Sequence, residues 1–251
     1  ELDKALHWQQ KALEVRNNCL SPDDVVFAFS YEEIANIYSR KEQNEEALQY
    51  YLQALELREK SLPPIHHNTA WSIYQVGKMY YKMSNPKEAL HYYEKSLEMT
   101  KKCFPASQLH TAPAILEDIA LIHGYNSEEA LQRRIEALEI QKQLKPINYS
   151  YLIRILDNIT FTYKSQGHIE NSLNFYKEAI QIQKEKQLDG ELSLAKKFNK
   201  LAREYEAIGN MTCALHCYQE VISINQRYYP PSHYLCKKTT SNIKRIKQRL
   251  Q

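Results

Sequence analysis

Small and large apolar residues return along this chain at helical spacing. Over 45–57, EEALQYYLQALEL, a small residue stands at Ala47, an aromatic at Tyr51 and a second small residue at Ala54. Positions i, i+4 and i+7 share one face of an α-helix, so the phrase predicts a helix with a small, large, small stripe. Small side chains let a second helix approach closely, and the aromatic fills the space between them. Similar phrases start at Asp3, Pro86, Ser127, Ile169 and Met211. Their first small residues, with the one above, are Ala5, Ala47, Ala89, Ala130, Ser172 and Ala214, at steps of 42, 42, 41, 42 and 42 residues. A constant period in this range marks a solenoid, a propeller or an array.

A second amphipathic pattern precedes the stripe. It reads YEEIANIY from Tyr31, IYQVGKMY from Ile73, NITFTY from Asn158 and NKLAREY from Asn199. Each copy has a small residue (Ala35, Gly77, Thr160, Ala202) and a tyrosine three positions later (Tyr38, Tyr80, Tyr163, Tyr205). Short turns such as KSQGH and EAIGN join the two helices, and Gly167 and Gly209 suit the positive φ that ends a helix. Prolines 22, 64, 105, 146 and 231 fall in phase after the second helix, with Asp189-Gly190 in that place at the fifth link. Proline there stops the helix and sets the turn. The unit is therefore helix, turn, helix, proline linker. Residues 1–19 read as the second helix of a truncated first repeat. Repeats two to six fall at 24–62, 66–103, 108–145, 149–187 and 191–228, and 232–251 reads as a basic capping helix.

Propeller blades would need alternating strands and many glycines, and the chain has 5 glycines. HEAT and armadillo units match the length but not the pairing of the two helical phrases. Those phrases resemble tetratricopeptide repeats, whose usual unit is shorter, about 34 residues. The longer unit, with phrases such as ALELREKSLPPIHHNTA, is similar to the repeats of kinesin light chains. The resemblance covers about 3–228. It implies an all-α fold, a right-handed helical solenoid of tetratricopeptide-type helix–turn–helix repeats with a C-terminal capping helix. The paired asparagines of the light chains appear here singly, at Asn158 and Asn199. The fourth unit departs most: His123 replaces the tyrosine, Arg134 replaces the large aromatic, and the turn before Ala130 is short. A local irregularity is expected there, either drift or a bend that shapes a binding surface.

Composition adds little to this picture. The net charge of +3 implies no partner, but 232–251 carries Lys237, Lys238, Lys244, Arg245, Lys247 and Arg249 without an acid. The stripe Leu235, Thr239, Ile243, Ile246 and Leu250 beneath them fits a cap with a polar outer face. Five cysteines without regular spacing read as free thiols in a reducing, cytoplasmic setting. No apolar run approaches the ~18 residues of a membrane span. The chain starts without methionine inside a helical phrase, which reads as a fragment.

No catalytic residue and no cofactor is expected. The glycines are isolated, so no loop cradles phosphates. No G-x-S-x-G or H-E-x-x-H occurs. Cys213, His216 and Cys217 have metal-compatible spacing on one helix but no second ligand pair, so no metal site is assigned. His66, His67 and His233 read as linker turn residues. Most tyrosines fall at packing positions, which argues against base stacking and a nucleic-acid partner.

A binding surface remains. In tetratricopeptide proteins the first helix of each unit lines a concave groove. Carrying that phase over by resemblance places Glu32, Glu33, Asn36 and Arg40 inward, then Trp71, Tyr74, Gln75, Lys78 and Lys82, then Glu117 and Asp118. Arg154, Asp157, Asn158, Phe161 and Lys164 follow, then Lys196, Asn199, Lys200 and Arg203. The peptide-binding set is Asn36, Arg40, Trp71, Tyr74, Lys78, Lys82, Arg154, Asn158, Phe161, Lys196, Asn199, Lys200 and Arg203. Asparagines can hold an extended backbone, cations can capture carboxylates, and Trp71, Tyr74 and Phe161 can receive an apolar anchor. Lys196, Lys200 and Arg203 point to acidic linear motifs. Two readings stay open: a non-catalytic protein-interaction scaffold, such as a kinesin-light-chain-like adaptor, or the recognition or regulatory part of a larger enzyme. The oligomeric state and the partner's identity are not legible.

Overall fold

A computed structural model describes every residue except Asp189. Asp189, half of the expected fifth link, thus lies outside the described residues. Among the described residues there are twelve α-helices and no strand. The chain divides into two compact units, Glu1–Lys145 and Pro146–Gln251.

The first unit holds α1 (Leu2–Cys19), α2 (Val26–Arg40), α3 (Asn44–Ser61), α4 (His67–Lys82), α5 (Pro86–Cys103), α6 (Ala112–His123) and α7 (Glu128–Gln143). A single 3-10 turn, Ala106–Gln108, precedes α6. Helices α2 and α3, α4 and α5, and α6 and α7 pack as hairpins. The second unit holds α8 (Tyr149–Ser165), α9 (Ile169–Glu185), α10 (Glu191–Ala207), α11 (Met211–Tyr228) and α12 (Tyr234–Leu250), with α8–α9 and α10–α11 paired likewise and α12 packed on α11.

One chain reversal recurs. The carbonyls of Tyr38, Tyr80, Tyr163 and Tyr205 accept the N–H of the residue five positions on, at 2.9–3.0 Å. This closes each first helix with a six-to-one bond and needs one residue at positive φ. Gly167 and Gly209 take it at +80° and +78°, whereas Glu42 and Ser84 do so at +62° and +58° without glycine. Side chains of Asn85, Ser127 and Asn210 then accept the N–H three residues on and cap the second helices.

The stripe is the seam of each hairpin. Ala47, Ala54, Ala89, Ala130, Ala137, Ala179 and Ala214 are wholly buried, and Tyr51, Tyr93, Tyr176 and Tyr218 lie among them. Gly77 shows how close the approach is: a Cβ there would stand 2.7 Å from Cδ1 of Tyr93. Aromatic stacks Tyr38–Tyr50, Tyr80–Tyr92 and Tyr163–Phe175, centroids 5.3–5.6 Å apart, close the hairpin ends. Ala5 is exposed and α1 buries no residue, so the first copy of the stripe is uncovered.

In the fourth repeat Arg134 takes the aromatic's place and is fully buried. Its Nε lies 3.7 Å from Oε2 of Glu117, and its guanidinium stacks 4.5 Å above the Tyr125 ring. In this repeat α6 spans only 12 residues and is closed by Gly124. A second buried charge joins repeats two and three. Arg58 Nη2 donates to Oε2 of Glu32 at 2.8 Å, and Arg58 also reaches the Ser72 hydroxyl. Glu32, Gln75 and Glu117, expected in the groove, are thus interior residues. On α12 the buried face is Cys236, Thr239 and Ile246, while Leu235 and Leu250 are exposed, because the helix turns Cys236 rather than Leu235 toward α11.

Candidate peptide-binding grooves

Three cavities share one construction. Two open between the first helices of consecutive repeats and the third between the last first helix and the capping helix, each with the intervening second helix as its base. The first, about 430 Å³, lies between α4 and α6 over α5. Trp71 and Tyr74 line it, with His67, Phe104, His110 and Ile115. Tyr74 is buried, its hydroxyl donating to Oδ2 of Asp118 at 2.7 Å, and its ring meets Trp71 at 5.7 Å and Tyr93 at 5.6 Å. Trp71 is 41% exposed, so its indole is available at the mouth. Lys78 sits 5.5 Å from the Tyr74 ring centre. This is an aromatic site with a cation at its edge, suited to an apolar side chain.

The second cavity, about 240 Å³, lies between α8 and α10 over α9. Phe161, 53% exposed, lines it with Asp157, Lys164, Tyr176, Lys197 and Lys200. Burial raises the Tyr176 phenol above its ordinary range, with Asp157 and Glu204 adding to the effect, so it stays neutral. The third, about 290 Å³, lies between α10 and α12 over α11. Lys196, Asn199 and Arg203 line it from α10, and Lys238 and Thr239 from α12.

The structure therefore splits the expected cation cluster: Lys196 and Arg203 face one cavity and Lys200 the other. Asn36, Arg40, Lys78, Lys82, Arg154 and Asn158 line none of these three cavities. Asn36 accepts the Tyr51 hydroxyl at 2.6 Å, Lys82 reaches the Ser39 hydroxyl at 2.5 Å, and Arg154 lies 4.3 Å above the Tyr151 ring. Arg40 is exposed and Asn158 half-buried. Sequence reasoning missed Phe104, His110 and Lys238 because they come from linkers or from the cap. It read His66 and His233 as turn residues; both are helix N-caps whose Nδ1 accepts the N–H two residues on, at 3.1 and 3.3 Å. Burial lowers the His66 pKa, which keeps the accepting nitrogen unprotonated.

Among the described residues no three His, Cys, Asp or Glu side chains gather as metal ligands, and no helix is long and apolar enough to cross a membrane. Cys217 is buried, which pushes its thiol up to about 11, with Cys213 adding to the shift.

Repeated hairpins with ligand-sized grooves between successive first helices define an all-α repeat solenoid of the interaction-scaffold type. The tetratricopeptide-repeat family matches residues 1–60, 27–102 and 152–186, more than half of the chain. The chain belongs to the tetratricopeptide-repeat proteins. Its fold is similar to that of BtubC (BKLC) from P. vanneervenii, at TM-score 0.67 and 18% identity, over 92% of this chain and 94% of that one. It is similar to a Podosopora anserina protein of nearly identical tetratricopeptide-like repeats, described as a kinesin light chain, at TM-score 0.63 and 20% identity over 82% and 99% of the two chains. The apo form of RapI matches at TM-score 0.61 and 16% identity, over all of this chain and 93% of that one. A search of curated proteins finds no sequence match.

Proposed function

We propose that this protein is a non-catalytic scaffold that binds peptide segments of partner proteins in the grooves between successive first helices. The observation that carries this reading is the α4–α6 cavity. It is large enough for an aromatic or branched side chain and offers a half-exposed indole at its mouth. The grooves beside α10 add cations for acidic residues of the ligand, so the preferred partner segment combines an apolar anchor with acids. The similarity of fold to kinesin light chains supports an adaptor role of that kind. Five free thiols among the described residues fit a cytoplasmic setting.

A peptide-array scan with the whole chain, run beside a Lys196, Lys200 and Arg203 charge-reversal variant, tests the reading. Selective capture of acidic, apolar-anchored peptides that fails in the variant is expected. Capture of none, or equal capture by both proteins, would count against it.

A further inference from the structure

The two grooves that flank α10 differ in how their charges are matched. Between α8 and α10 Lys197 pairs with Asp157 at 2.9 Å, Lys164 with Glu204 at 2.5 Å, and Lys200 lies 5.2 Å from the Tyr176 ring centre. Between α10 and α12 the lining includes Lys196, Arg203 and Lys238 and, among the described residues, no carboxylate. Among the described residues neither Lys196 nor Arg203 meets an acid in an ion pair, and Lys238 donates to the Tyr234 hydroxyl at 3.0 Å. Arg203 and Lys238 also line the adjoining cavity, whose acid, Glu206, is already held by Arg245 at 2.8 Å and by the Tyr218 hydroxyl at 2.6 Å. Among the described residues, three cations therefore face one cavity of about 290 Å³ without a counter-charge of their own.

We propose that the α10–α12 groove binds a phosphorylated serine or threonine on a peptide segment, with Lys196, Arg203 and Lys238 around the phosphate. One carboxylate would bring a single charge and leave two cations unmatched. A phosphomonoester brings about −1.5 to −2 and three acceptor oxygens, which suits two ammonium groups and a guanidinium fork. The apolar side chains of Leu192, Val221 and Leu235 in the same cavity suit the short stem that carries the ester. Lys238 gives the capping helix a recognition role beyond closing the stack. This inference rests on the reading of these grooves as peptide sites and narrows one of them to a modified ligand.

The test uses the whole chain, a degenerate peptide library oriented on phosphoserine, its unphosphorylated twin, and inorganic phosphate as competitor at constant ionic strength. The phosphorylated library should bind at least tenfold more tightly, and inorganic phosphate, but not acetate, should compete. Lys238→Gln and Arg203→Gln should each remove that gain, whereas Lys247→Gln, outside the cavity, should keep it. Equal binding of the two libraries, or a gain that survives both groove variants, overturns this inference and leaves the peptide reading standing. Binding of neither library overturns both.

Discussion

The groove between α4 and α6 and the groove between α10 and α12 have the same construction and opposite chemistry. In both, a second helix with a buried alanine and tyrosine forms the base, beneath two first helices in one and beneath a first helix and the cap in the other. Lining positions correspond through the repeat: Trp71 matches Lys196 and Tyr74 matches Asn199, each 125 residues apart, and Lys78, beside the Tyr74 ring, is the counterpart of Arg203. One groove is aromatic and the other basic. The hairpin seam fixes the spacing, while residues of the first helix set the chemistry of the lining. Each repeat can then change its lining without disturbing the seam. Changes to the base should therefore cost stability, and changes to the lining should cost binding.

The largest expected effect is on the buried tyrosines of the hairpins together. Burial raises the phenols of Tyr51, Tyr93 and Tyr176 and pushes those of Tyr205 and Tyr218 up to about 12, above the ordinary 10.0. Below pH 10 these groups are neutral in both folded and unfolded chains, and stability is intact. As pH rises from 10 toward 12 the unfolded chain ionises first, so stability falls. Circular dichroism at 222 nm should show cooperative loss of helix within that window. Loss below pH 9, or none by pH 12.5, would contradict the burial.

Breaking one buried pair comes next. Arg58→Ala leaves the Glu32 carboxylate buried without its partner and should cost about 3–5 kcal/mol in urea unfolding. A cost below about 1 kcal/mol would mean that Glu32 reaches solvent. The lining behaves differently. Trp71→Ala should weaken binding of apolar-anchored peptides by about 2 kcal/mol, roughly 30-fold, by calorimetric titration. It should spare peptides held at the α10–α12 groove. Equal loss for both ligand classes would break the comparison. The smallest effect sharpens it: Asn210→Ala removes the cap from α11 and should cost about 1 kcal/mol of stability. Peptide affinity, read by anisotropy, should stay unchanged.

Much of this fold was legible in the sequence, because the stripe and the tyrosine three positions after each small residue are local and repeat. The positive φ at Gly167 and Gly209 followed from residue type. The same φ at Glu42 and Ser84 did not, since no side chain there announces it. The candidate site was only partly legible. Phase placed Trp71, Tyr74, Phe161, Lys196 and Arg203 on cavity walls. It could not tell a solvated acid from Glu32 and Glu117, whose buried partners Arg58 and Arg134 come from other helices. Nor could it bring Lys238 to Arg203, because that approach depends on how the cap rotates to bury Cys236.

The central claim is that peptides occupy the grooves between first helices. Amide hydrogen exchange on the whole chain, with and without a peptide captured in the array scan, tests it most directly. Added protection should concentrate in segments that line a groove, on α4 and α6 for an apolar-anchored peptide or on α10 and α12 for an acidic one. Protection confined to α1, or spread over the outer surfaces of the second helices with the groove segments unchanged, would contradict the account.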